Sequence, residues 1–211
     1  VDDPGSYGCM GAVLAGGESS RMGTDKAFIA VDGEPMVLRA ARTLQEAGAQ
    51  PTVVVGGDEP RLKQMGLVTL ADDHPGEGPL GAVITVLRHL HEIGAAVSSP
   101  LIAAVVTLPC DVVSPDVEAI RCLLESFAAD CAETHGEKAE LEKAELIVPI
   151  GDGEPQWMHA LWLSSCRKAL LAAFSEGVRA PREAARRLRT VTVEVPGSGW
   201  FDDADRPEDL S

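Results

Sequence analysis

VLAGGESSRMGTDKA, residues 13–27, decides the reading of this chain. Residues 12–15 are a short apolar run, the mark of a buried strand. The run breaks at Gly16-Gly17 into a polar loop carrying Arg21, Gly23 and Lys26. Glycines let backbone N–H groups approach an anion closely, and Arg and Lys supply charge. A strand that opens into such a loop is a place to hold phosphates. The common phosphate loop has four residues between its glycines and Lys directly after the second. Here five residues separate Gly17 from Gly23, and Lys26 comes three after Gly23. G-x-G-x-x-G is absent, so there is no dinucleotide fingerprint.

Outward from this loop, strand and helix patterns alternate. Residues 27–31 read as an extended piece ending at the turn Asp32-Gly33, and residues 35–47 have helical spacing up to Gly48. Residues 52–55 are a second buried strand ending at Gly56-Gly57, residues 58–65 a helix, and residues 68–70 a third strand ending at Asp72-Asp73. GEGPLGAVITVLRHLHEIG predicts a helix from Pro79 to a stop at Gly94. Residues 102–106 form the most apolar strand, followed by Thr107-Leu-Pro-Cys-Asp111, and Ser114 caps a helix with Pro115 at its first position. This alternation predicts an α/β fold, a doubly wound, mostly parallel sheet with helices on both faces. Such sheets bind ligands at the carboxyl ends of their strands. Gly16-Gly17, Gly56-Gly57, Asp72-Asp73 and Asp111 all fall there. In the second half, ETHGEKAELEKAE (residues 133–145) is a solvated charged run. Residues 146–150 and 156–163 read as strands around the turn 151–153, residues 164–174 and 180–188 as helices, and residues 191–195 as a last strand.

The 211 residues suffice for one sizeable core, and with aromatics at only 4% that core must be built of Ala, Val and Leu. A net charge of −15 makes the chain a poor general binder of nucleic acid or anionic membrane, so a polyanionic ligand must be caught by a local basic site. Arg179, Arg182, Arg186, Arg187 and Arg189 cluster in one segment, which reads for most of them as a solvated helix face. The five Cys (9, 110, 122, 131 and 166) contain no C-x-x-C pair, which argues against structural zinc and for reduced thiols in a cytoplasm. No apolar stretch reaches membrane-spanning length, and VDDPGSYG is no signal peptide. The absence of an initial Met points to processing or to a piece of a longer chain.

Asp111 follows a buried strand and a Leu-Pro turn, where an aspartate either holds Mg²⁺ or caps the next helix. Asp203 and Asp205 alternate in an extended reading, so both point one way and either can add a second carboxylate; the alternative is a polar turn capped by Asp205. His159 sits in the segment read as a strand, where a lone His is more often packed than catalytic, and Cys110 is a small buried neighbour of Asp111. No Ser-His-Asp or Cys-His arrangement stands out. The chemistry this set supports is phosphoryl or nucleotidyl transfer.

Five motifs in order resemble the nucleotidyltransferases with a Rossmann-like sheet, and among them the molybdenum cofactor guanylyltransferases. They are LAGGESSRMGTDKA (residues 14–27), Asp72 followed by GPLGA (78–82), PCD (109–111), QWMHALW (156–162) and FDDADRPEDL (201–210). The resemblance implies a nucleotide-diphospho-sugar-transferase-like domain over residues 1–211, with a nucleotide half at about 8–112 and an acceptor half at about 113–211. It implies transfer of GMP from GTP to molybdopterin with Mg²⁺, in the cytoplasm, with molybdoenzymes or cofactor-delivery proteins as partners. Carried onto this chain, Arg21, Lys26 and Asp111 are catalytic. Leu14, Ala15, Gly16, Gly17, Arg21, Gly23, Lys26, Gly56, Asp72 and Gly78 meet the nucleotide. Asp111 and Asp205, with Asp203, hold the metal, and Arg179, Arg182 and His159 face the acceptor. Two departures stand out: Gly56-Gly57 occupies a place where the family often has Asn, and Asp203 and Asp205 stand where its closing motif often has Asn. GPLGA, and the lack of the Gly-His-Pro motif of cytidylyl relatives, favour GTP.

Overall fold

Alternation along one strand organises the two faces of the sheet. In β1 (Gly8–Leu14), Met10, Ala12 and Leu14 pack into one hydrophobic cluster, while Cys9 and Val13 pack into another on the opposite face. The computed structural model of the chain describes residues 8–16, 25–96, 102–132 and 143–196.

The remaining elements are β2 (Ala30–Val31), β3 (Glu34–Pro35), α1 (Met36–Ala47), β4 (Thr52–Val55), α2 (Glu59–Gln64), β5 (Thr69–Leu70), α3 (Pro79–Ala96), β6 (Ile102–Pro109) and α4 (Val117–Ala132). After these come β7 (Leu146–Gly151), β8 (Glu154–Pro155), β9 (Leu161–Leu163), α5 (Arg167–Ser175), α6 (Pro181–Ala185) and β10 (Thr190–Glu194). The main sheet runs β10-β7-β9-β6-β1-β4-β5, with β8 paired to β7. β1 is parallel to β4 and β6, β4 to β5, and β7 to β10, whereas β9 is antiparallel to both β6 and β7. This is the expected mostly parallel sheet. Val37, Leu44, Ile120 and Leu123 of α1 and α4 cover one face; Leu80, Leu87, Leu170 and Ala184 of α3, α5 and α6 cover the other.

Short polar signals set the local turns. Asp32-Gly33 and Asp152-Gly153 hold φ of 52° and 82°, and 51° and 80°, the paired positive angles of tight hairpins. Gly48 ends α1 in the left-handed region, and its N–H returns to Leu44 and Gln45.

Several boundaries differ from the sequence reading. Residues 26–28 form a 3-10 turn, because Asp25 Oδ1 accepts the Ala27 N–H at 3.1 Å. α3 passes through Gly94 to Ala96, and β6 extends to Pro109. Asp116 replaces Ser114 as the cap of α4: its Oδ1 accepts from Glu118 N at 2.7 Å and Ala119 N at 3.4 Å. Residues 156–163 are not one strand. Trp157–His159 is a 3-10 turn, and only Leu161–Leu163 pairs with the sheet.

The turn is kept by Thr107, fully buried at the end of β6. Its hydroxyl lies 2.9 Å from Met158 O and 3.2 Å from Ala160 O, and it accepts from Trp162 Nε1 at 3.1 Å. Among the described residues no helix is long and apolar enough to cross a membrane. Thr107→Val keeps the volume but leaves the buried indole N–H without its acceptor, so it is expected to cost about 1–3 kcal/mol in urea unfolding. Wild-type stability in that variant would contradict the role of this network.

Candidate active site

The chain leaves β1 toward β4 and β5, then returns through α3 to β6 on the other side of β1. That reversal opens a crevice at the carboxyl ends of β1 and β6. Leu14 pairs with Pro109, and Cys110 N donates to Leu14 O at 3.1 Å, so Ala15-Gly16 and Cys110-Asp111 leave the sheet side by side. A cleft of about 240 Å³ lies there, lined by Gly16, Asp25, Lys26, Pro79, Asp111 and Met158 among others.

Lys26 begins the 3-10 turn capped by Asp25, and its Nζ lies 3.3 Å from Asp111 Oδ2. Their side chains are 16% and 23% exposed, so each charge is partly withdrawn from water and stands against the other. Two residues 85 positions apart, both singled out from the sequence, thus meet in one cleft. Asp25 lines it as well; its place directly before Lys26 was the signal for it. Among the described residues no three His, Cys, Asp or Glu side chains cluster as a metal site. One or two carboxylates suit Mg²⁺, which keeps water and substrate phosphate as its other ligands. The donors present therefore fit the expected ion.

The neighbouring strand ends supply a second edge. A Cβ on Gly56 would fall 3.1 Å from Gly16 Cα, and one on Gly16 would fall 3.4 Å from Asp72 Oδ2. Gly56 has φ of +73°, so both the close approach and the backbone require glycine there. Asp72 is oriented by its other oxygen: Oδ1 accepts from His74 N at 2.9 Å and from Thr85 Oγ1 at 3.2 Å. Thr85 is fully buried in α3 and also accepts the Asp73 N–H at 3.1 Å. Sequence reasoning missed Thr85; its signal was a hydroxyl amid the apolar run LGAVITVL.

His159 does not occupy an open strand. It is 3% exposed on its 3-10 turn, and burial lowers its pKa to about 3, so the imidazole is neutral at ordinary pH. Met158, not His159, lines the cleft. Cys110 is held in the thiol form by burial first, then by the charges of Asp111 and Asp25. Arg182 is exposed on α6, while Arg179 is engaged by Glu77, Phe174 and Val178. Gly78, with φ of +89°, packs against Arg179. Gly17, Arg21, Gly23, Asp203 and Asp205 lie outside the described residues.

A family model described as the MobA-like NTP transferase domain matches residues 11–192. A probable molybdenum cofactor guanylyltransferase of Opitutus terrae is 43% identical over 100 residues, 44% of this chain and 50% of that protein. Another, of Methanothermobacter thermautotrophicus, is 27% identical over 208 residues, 94% of this chain and 95% of that protein. The chain spans about half the length of the Opitutus relative and of others like it in these matches. The solved molybdopterin-guanine dinucleotide biosynthesis protein A of Archaeoglobus fulgidus superposes with a TM-score of 0.66 at 21% identity, covering 95% of this chain and 94% of that one. At that identity the likeness is one of fold.

Burial of His159 carries a pH signature. The unfolded chain takes up its proton below about pH 6.5 and the native protein only near pH 3, so stability is lost as pH falls through that window. At about pH 5 this one group removes about 2 kcal/mol relative to neutral pH. In His159→Gln the difference in urea-unfolding stability between pH 7.5 and pH 5 should shrink by about that amount. An unchanged difference would rule out a buried neutral imidazole.

Proposed function

The chain belongs to the MobA-like NTP transferase domain family, and on that premise we propose that it transfers GMP from GTP to the phosphate of molybdopterin, releasing pyrophosphate. The observation that carries this reading is the Lys26–Asp111 pair at the mouth of the β1–β6 crevice, beside the glycine-lined edge of Gly16, Gly56 and Asp72. The names of the relatives support guanine and the molybdenum cofactor as the substrates.

In this reading a phosphate oxygen of the acceptor attacks the α-phosphorus of GTP, and the bond from that phosphorus to the oxygen leading to the β-phosphate breaks. The nucleophile is already ionised at neutral pH, so no general base is needed. The burial of His159 and the protonated state of Cys110 accord with that. The barrier is repulsion between anions and charge on the departing pyrophosphate. Lys26, together with Arg21, stabilises that charge. Asp111 would hold Mg²⁺, with Asp205 or Asp203 as the second carboxylate. When bound, the ion neutralises phosphate charge and polarises the phosphorus–oxygen bonds. Leu14, Ala15, Gly16, Gly17, Gly23, Gly56 and Gly78 let the nucleotide lie close to the backbone, and Asp72 faces its ribose or base. Arg182, exposed on α6, meets the acceptor phosphate.

Lys26→Met and Asp111→Asn are each expected to lower GMP transfer by about 10²-fold or more while the fold persists. Undiminished transfer in both would overturn the assignment. Thermal stabilisation by GTP, CTP, UTP and ATP in Mg²⁺ tests the base, since a selective ligand stabilises the native state. A preference for CTP would replace the guanylyl reading with a cytidylyl one.

A further inference from the structure

The loop of residues 71–78 joins β5 to α3 and carries Gly76 and Gly78 at φ of +76° and +89°. Two glycines give it little stiffness of its own, so its shape depends on what grips it. At its inner end Thr85 fixes Asp72. At its outer end the grip comes from the other half of the chain. Leu80 N, among the first N–H groups of α3, donates to Arg179 O at 3.3 Å. Arg179 Nη2 donates to Glu77 Oε2 at 2.8 Å, while Nη1 donates to Phe174 O at 2.7 Å and Val178 O at 3.1 Å. The guanidinium carbon sits 3.9 Å over the centre of the Phe174 ring, and that ring meets His74 with centroids 4.6 Å apart. A Cβ on Gly78 would lie 3.4 Å from both the Cβ and the carbonyl oxygen of Arg179.

We propose that Arg179 is a positioning residue for the nucleotide: through Glu77, Leu80 and the Phe174–His74 ring contact it sets the course of the loop between Asp72 and Pro79. This rests on the reading of that loop as a nucleotide-binding edge, and it moves Arg179 from the acceptor to the nucleotide side. The Arg179 and Glu77 side chains are 40% and 46% exposed, and a pair so open to water contributes little to stability. Its effect is geometric. Two hydrogen bonds and the Phe174 ring hold the guanidinium on its own segment, and its third hydrogen bond, to Glu77, crosses to the loop.

A double-mutant cycle with Arg179→Met and Glu77→Gln tests this, read as the Kd for GTP with Mg²⁺, the KM for the acceptor and the melting temperature without ligand. Each single change is expected to raise the nucleotide Kd about threefold, and the double change no more than either alone. The acceptor KM and the ligand-free melting temperature should stay near their wild-type values. An unchanged nucleotide Kd with a raised acceptor KM in Arg179→Met would overturn the proposal and return Arg179 to the acceptor. Fully additive effects would also overturn it, since they mean that the two residues act separately. If Arg179→Met fails to fold, Glu77→Gln decides alone, and an unchanged Kd refutes the proposal. Wild-type protein that binds none of the four nucleotides would instead sink the functional reading on which the proposal rests.

Discussion

The pairing of β1 with β6 is the constraint from which the site follows. From Cys9 on Ala104 to Leu14 on Pro109 the register is continuous, and Cys110 N on Leu14 O extends it by one bond. A slip of one residue would turn every apolar side chain of β1 to the wrong face. It would also carry Asp111 away from Lys26. The same packing of both faces of β1 that builds the core therefore also sets the distance between the two charged groups. Thr107 braces β6 from the β9 side, so the strand is held on both edges just before it delivers Pro109, Cys110 and Asp111.

Charge is managed locally. The chain as a whole carries −15, which gives a polyanion no long-range attraction. At physiological salt, interactions between exposed charges fade over about 8 Å. In the proposed reaction, capture of a triphosphate would therefore depend on groups at contact distance: the Lys26 ammonium, the backbone of Gly16 and Gly56, and a metal ion that Asp111 would hold. Most of the arginines beyond Arg179 serve the surface instead. Arg187 pairs with the exposed Glu176, as a solvated face does, and Arg189 pairs with the largely buried Glu145.

What the sequence showed and what it hid follow from the range of the forces involved. β1, β4 and β6 are legible because a parallel strand buried on both faces is a continuous apolar run, and Gly16, Gly56 and Asp111 mark where each one stops. The two Asp-Gly turns are legible because their backbone angles select those residues. Residues 156–163 were misread because alternation of polar and apolar side chains does not disclose that Thr107, some 50 positions earlier, holds the Met158 carbonyl in a turn. Gly94 failed to stop α3, and Asp116 took the cap from Ser114, since two residues of similar capping strength compete within one short stretch. Within the site, Lys26 and Asp111 were readable as residue types at strand ends. Thr85 and Glu77 were not, because their importance lies in what they touch.

The link from Glu77 to Arg179 spans 102 positions. When a chain is made from its N-terminus and segments fold as they appear, residues 71–78 emerge long before their outer anchor. Contacts of such separation close late, because the intervening chain must first be ordered. The glycine-rich loop can thus take its final course only once α5 and the segment leading to α6 have docked on α3. Until then the nascent chain has the strand ends in place but an unfinished rim.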